Sequence, residues 1–151
     1  MTTINRSALV PFSANDMFKL VDDIERYAEF LPWCKSTNII DRATGGNDNS
    51  GEVIASIDIS KAGIHKTFTT RNINTNASQI EMNLVDGPFK SLHGYWRFTA
   101  LNESACKVSL DIEFDFSNQL LSMTLGPVFS QICNSLVNAF VGRAAVVYGR
   151  N

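Results

Sequence analysis

Histidine, cysteine and charge are all scarce in this sequence, and each scarcity removes a class of function. Two histidines, His65 and His93, stand among 151 residues, and neither has an acidic residue two or four positions away. An imidazole that binds metal or relays protons needs a second group to orient it, so both are expected at ordinary sheet or surface positions, and no metal site is expected. The three cysteines, Cys34, Cys106 and Cys133, are odd in number, widely spaced and without a C-x-x-C pair. That pattern excludes a disulfide framework and a zinc knuckle and fits a reducing cytosol. Cys133 falls near an apolar helical stripe, where a thiol serves as a small buried hydrophobe.

Charged residues make up 19% of the chain and sum to a formal −2. No global field therefore draws the protein onto nucleic acid or an anionic membrane. DNA is not an expected partner, and any phosphate contact would need a local patch. No apolar run approaches the roughly 20 residues needed to span a bilayer, and the start Met1-Thr2-Thr3-Ile4-Asn5-Arg6 lacks the basic-then-apolar profile of a signal peptide. A cytoplasmic protein is expected, with peripheral contact at the inner membrane left open. Also missing are a G-x-S-x-G elbow, a G-x-x-x-x-G-K-[ST] loop and a G-x-G-x-x-G turn. The carboxylates Asp111, Glu113 and Asp115 fall on the outward face of a strand, where solvation explains them better than acid-base work. No catalytic residue is assigned and an enzyme is not expected.

What the chain does have is apolar bulk with clear periodicity. At 44% hydrophobic over 151 residues, it can bury one core without metal or disulfide, and residues 1–151 read as a single domain. Thr3 to Val10 reads as a strand stopped by Pro11. Ser13 followed by Asp16 reads as an N-cap, opening a short helix through Met17, Phe18, Leu20 and Val21. Asp22-Asp23 ends it and starts a brief turn through Ile24 and Tyr27, which Pro32 forbids from continuing. The period then changes to two. A strand holds Ile39-Ile40, and the tract from Thr44 to Gly51 is a polar turn into Val53, Ala55, Ile57 and Ile59. Further strands follow at His65–Ile73, Gln79–Val85, Leu92–Leu101 and Cys106–Phe116. In the last, Cys106, Val108, Leu110, Ile112, Phe114 and Phe116 alternate with polar residues, giving one dry and one wet face. Gly94 beside Trp96 permits a sharp bend.

After Ser117-Asn118 the spacing becomes helical, with Leu121, Leu125, Val128, Phe129, Ile132, Leu136, Phe140, Ala144 and Val147 on one side. About 30 residues at about 1.5 Å each give roughly 45 Å, enough to cross the domain. Pro127 removes a backbone donor and clashes with the preceding turn, so a kink or a helix start is expected there. The order β-α-α-β6-α predicts an α+β fold of the helix-grip kind, a curved antiparallel sheet wrapped around a long C-terminal helix.

Four segments carry a likeness to a known family: Tyr27-Ala28-Glu29-Phe30-Leu31-Pro32-Trp33-Cys34; Lys66-Thr67-Phe68-Thr69-Thr70-Arg71-Asn72; Asp86-Gly87-Pro88-Phe89-Lys90 with Gly94 and Trp96; and Phe140 with Arg143-Ala144 and Val147-Tyr148-Gly149. Together they resemble the START-like, coenzyme Q-binding proteins of the polyketide cyclase superfamily, most closely the bacterial ribosome-association toxins. The resemblance runs from about Arg6 to Gly149. Ala28 departs from it, since proline is common there, and Pro127 is unusual within the long helix.

The resemblance implies a helix-grip fold enclosing a hydrophobic tunnel for ubiquinone or a related lipid, with no cofactor required. It also implies a second role, that of a toxin in a type II toxin-antitoxin system that binds the large (50S) ribosomal subunit and blocks 70S association. On the residues, Phe30, Leu31, Pro32 and Trp33 are expected at the tunnel mouth with Phe89 facing them. Phe68, Leu84, Trp96, Phe98 and Phe114 are expected on the sheet wall, and Phe129, Cys133, Leu136, Val137 and Phe140 on the helical wall. The same large side chains would equally fill a solid core. For a ribosome-facing surface, the cations available for a local patch are Lys61, Lys66, Arg71, Lys90, Arg97 and Arg143.

Overall fold

A computed structural model describes residues 1–44 and 50–149. The expected polar turn between Thr44 and Gly51 falls for the most part outside the described residues. Strand β1 (Thr2–Val10) leads into α1 (Ala14–Asp22), and a 3₁₀ turn, η1 (Ile24–Glu29), precedes six strands: β2 (Cys34–Thr44), β3 (Gly51–Lys61), β4 (Ile64–Thr75), β5 (Gln79–Asp86), β6 (Phe89–Asn102) and β7 (Ala105–Phe116). Helix α2 (Gln119–Val147) closes the chain.

Local chemistry sets the boundaries. The Ser13 hydroxyl accepts from the Asp16 amide at 3.0 Å, satisfying an amide that α1 would leave unpaired. Asn118 does the same for Leu121 at 2.9 Å and fixes the start of α2. The seven strands form one antiparallel sheet in the order β1-β7-β6-β5-β4-β3-β2. From β3 onward each strand pairs with its predecessor, and β1 joins β7, so only the crossing from β1 to β2 is long. Bulges interrupt the registers between β2 and β3, β4 and β5, and β6 and β7, and such interruptions bend and twist a sheet. Gly94 lies opposite Ile112 at the crowded β6–β7 contact. A Cβ on it would meet the Asp111 carbonyl at 2.8 Å. The result is the helix-grip fold.

Three expectations are corrected here. Of the kink or helix start expected at Pro127, the helix start is ruled out, since α2 runs 29 residues from its Asn118 cap with Pro127 inside. The carbonyl deprived of an amide partner is that of Met123, an exposed residue, so water can satisfy it and the helix survives. Gln119–Tyr148 also has the length and mean hydropathy (1.3) of a membrane-crossing segment, although polar residues break it into short apolar runs. Its buried side, from Leu125 to Ala144, packs chiefly on β1 and β7. Finally, His93 does have an acidic partner: its Nε2 lies 2.9 Å from Glu81 Oε2 on the neighbouring strand. Spacing along one strand cannot reveal a neighbour that arrives by pairing.

Candidate functional site

Because α2 leans toward the β1–β7 side, the space between its inner face and strands β3 to β5 is incompletely filled. A cavity of about 70 Å³, counting the space open to the centre of a water molecule, lies there. Ala55 and Ile57 of β3, Phe68, Thr70 and Asn72 of β4, and Met82 of β5 form one wall. Leu92, Leu110 and Ile112 floor it, Ile24, Tyr27 and Trp33 close one end, and Phe129, Ile132, Cys133, Leu136 and Phe140 cover it from the helix.

Phe129 and Phe140 each sit at the centre of an aromatic cluster. The Phe129 ring meets Phe114 at 4.8 Å, Phe89 at 4.9 Å and Phe68 at 5.9 Å. The Phe140 ring meets Trp96 and Phe30, each at 5.2 Å, and Tyr27 at 5.4 Å. Edge-to-face aromatic contacts are favourable beyond the area they bury, so the helix is anchored at two points about 16 Å apart along its axis. The cavity lies between these anchors.

Of the residues expected to line a tunnel, Trp33, Phe68, Phe129, Cys133, Leu136 and Phe140 line the cavity. The others do not. Phe30 packs on Phe140 and lies beneath the Arg143 guanidinium, 5.0 Å from ring centre to Cζ. Leu31 is fully buried in the core, whereas Pro32 is exposed. The segment Phe30-Leu31-Pro32 is therefore a packed corner and an exposed turn rather than a mouth. Phe89 and Phe114 belong to the Phe129 cluster, and Trp96 stacks on Phe98, which meets Phe18 of α1 edge-on at 5.9 Å. Val137 is buried and Leu84 is partly buried against the core. Alternation identifies which face a side chain points to, but not whether the helix sits directly above it.

Sequence reasoning missed the polar part of the cavity. Thr70 and Asn72 are almost wholly buried on the inner face of β4, where apolar residues are the rule. The Thr70 hydroxyl donates to Asn72 Oδ1 at 3.0 Å. The signal was present as three polar residues, Thr70, Asn72 and Asn74, at alternate positions continuing the inward face set by Phe68. Beyond the cavity, Asn74 Nδ2 donates to Asp22 Oδ1 at 2.9 Å, and Arg42 pairs with the same carboxylate at 2.9 Å. The Tyr27 hydroxyl donates to the Val21 carbonyl, and burial, then the nearby Asp22 charge, pushes its pKa upward. Burial also pushes the Cys133 thiol up to about 12, so it lines the cavity as a neutral thiol and not as a nucleophile. Among the described residues, no group of three or more His, Cys, Asp or Glu could hold a metal ion.

The six cations expected in one patch are split. Arg71 pairs with Glu52 at 2.6 Å, Arg97 with Asp111 at 3.1 Å, and Arg143 with Glu29 at 2.8 Å. Cross-strand and inter-element carboxylates have taken up the arginines. Lys61, Lys66 and Lys90 make no ion pair among the described residues. Lys66 and Lys61 sit at the β3–β4 hairpin, in the pairings Ile59–Lys66 and Lys61–Ile64. Lys90 follows Phe89, whose ring lies 5.9 Å from that of Phe68, so these three share one end of the sheet.

A curved antiparallel sheet closed by one long helix over a mostly apolar cavity defines a START-like domain. The chain belongs to the family described as polyketide cyclase / dehydrase and lipid transport, whose profile matches residues 10–141. It is 48% identical over 149 residues to a Vibrio cholerae protein named ribosome association toxin RatA, covering 99% of each chain. It is 23% identical to the mitochondrial coenzyme Q-binding protein COQ10 homolog B of Xenopus laevis, over 97% of this chain and 59% of that one. The structure superposes on the Zhui aromatase/cyclase of Streptomyces sp. R1128 with a TM-score of 0.80 at 18% identity, over 96% and 95% of the two chains. At that identity the likeness is one of fold.

Proposed function

We propose that this protein acts without catalysis, by associating with the large ribosomal subunit in the cytoplasm and hindering its joining to the small one. The observation that carries this reading is the end-to-end identity of 48% with a protein named for ribosome association. Of the six cations considered for a patch, Lys61, Lys66 and Lys90 are the ones without an ion pair among the described residues, and their shared end of the sheet is the surface expected to make phosphate contacts. A contact of about three phosphates makes binding weaken as salt rises, with a slope of about three in the double-logarithmic plot. The test is a sucrose gradient of lysate from bacteria expressing the protein. Free subunits should accumulate at the expense of joined ribosomes, and replacing all three lysines by glutamate should restore the profile. A wild-type profile identical to that of the uninduced cells overturns the reading.

A second reading is favoured by one specific feature, the cavity between α2 and the sheet. It is binding of an uncharged isoprenoid lipid, with ubiquinone as the representative ligand, and the relative named as a coenzyme Q-binding protein supports it. At about 70 Å³ the cavity is below the roughly 300–1,000 Å³ of most small-molecule sites. It accommodates a ring-sized portion, and a longer ligand requires α2 to shift outward. Organic extraction of the purified protein followed by mass spectrometry tests it. Recovery of no lipid, together with no uptake of added quinone, removes this reading and leaves the first untouched.

A further inference from the structure

Asn72 is 8% exposed and lines the cavity, yet only half of its carboxamide is used. Its Oδ1 accepts from Thr70 Oγ1 at 3.0 Å, while its Nδ2 makes no hydrogen bond to any described residue. An unpartnered donor on the wall of a mostly apolar cavity is available to orient a ligand. Carboxylate, ammonium, guanidinium and imidazole groups are all absent from the lining among the described residues. Of the other polar groups on the lining, two hydroxyls are already committed, the thiol is weak, and the Trp33 indole N–H is a second donor. The Tyr27 hydroxyl donates to the Val21 carbonyl, the Thr70 hydroxyl to Asn72, and Cys133 offers only a thiol.

We propose that Asn72 is the polar recognition point of the cavity, donating from Nδ2 to a carbonyl oxygen of an otherwise apolar, uncharged ligand. This rests on the lipid-binding reading and adds to it the class of head group and the residue that selects it. A fatty acid anion or a phospholipid headgroup would enter this space with no counter-charge, which a low-dielectric interior penalises heavily. A neutral ketone or quinone brings an acceptor and no charge. Thr70 is a positioning residue: its hydroxyl occupies Oδ1 and so leaves Nδ2 as the available donor.

The test uses nuclear magnetic resonance on the whole protein with two probes of equal chain length, 2-decyl-1,4-benzoquinone and decylbenzene. Methyl signals of Ile57 and Ile132, which line the cavity, report occupancy by either probe, and the Asn72 side-chain NH₂ signals report the hydrogen bond. Both probes should move the methyl signals, and only the quinone should move the Asn72 NH₂ signals downfield. Asn72→Leu should weaken quinone binding about tenfold and leave decylbenzene within about twofold. If both probes enter and the Asn72 signals of the unmodified protein ignore the quinone, the donor role is overturned and lipid binding stands. If neither probe moves the methyl signals, lipid binding fails and this inference fails with it. The measurement on the unmodified protein decides the matter even if Asn72→Leu does not fold.

Discussion

The rings of Phe129 and Phe114 stand edge to face, with centroids 4.8 Å apart and planes at 89°. This contact ties the first half of α2 to β7 behind Phe129, which itself lines the cavity. Phe129 is 3% exposed, so its truncation removes packing on the sheet side and enlarges a space that is already unfilled. Phe129→Ala should cost about 3–5 kcal/mol of stability, read as a fall of roughly 10 °C in Tm. A fall of only a degree or two would mean that α2 is held elsewhere.

Pro127 lies well inside α2, where proline lacks the amide that the Met123 carbonyl would accept from. Pro127→Ala restores that bond, and interior proline costs about 3 kcal/mol relative to alanine. Part of this is offset because alanine leaves the unfolded chain freer. A gain of about 1–2 kcal/mol in denaturant unfolding is expected. A loss of stability would show that the proline is needed for how the helix passes over the cavity.

Gly94 leaves no room for a side chain, since an added Cβ would come within 2.8 Å of the Asp111 carbonyl and 3.0 Å of Ile112 Cβ. The first of these is backbone and cannot swing aside. Gly94→Ala should therefore destabilise by about 1–3 kcal/mol, measured by thermal melting. Unchanged stability would show that β6 and β7 can separate without loss.

Burial raises the Cys133 thiol to about 12 and the Cys34 thiol to about 11, from an ordinary 9.0. The unfolded chain therefore gives up these protons first. Their contribution to stability is complete below about pH 9 and is lost as pH climbs from there toward 11 and 12. Stability should fall over that range, and Cys133→Ala should make the fall shallower. An equal slope in the two proteins would show that the thiol does not stay protonated in the folded state.

The strands, the Ser13 cap and the inner face of β7 were legible in the sequence because each is encoded locally, by alternation or by residues three apart. What arises from pairing was not. Glu81 reaches His93, and Glu52 reaches Arg71, only across the sheet, so neither the histidine's partner nor the neutralised arginines could be read from spacing. The candidate site was legible in part for a related reason. Trp96, Phe98, Leu92 and Leu110 all share the inward face, but Leu92 and Leu110 meet open space and Trp96 meets Phe140. The sideways placement of α2 decides between them. Thr70 and Asn72 carry no local signal of a role except their register, which continues the inward face set by Phe68.

Purified large and small ribosomal subunits, mixed at a magnesium concentration that favours joining and followed by light scattering, test the central claim most directly. Prior incubation of the large subunit with this protein should suppress the rise in scattering, whereas prior incubation of the small subunit alone should slow it less. Replacing Lys61, Lys66 and Lys90 together by glutamate should restore the rise. An undiminished signal with the unmodified protein in molar excess over the large subunit would contradict the account.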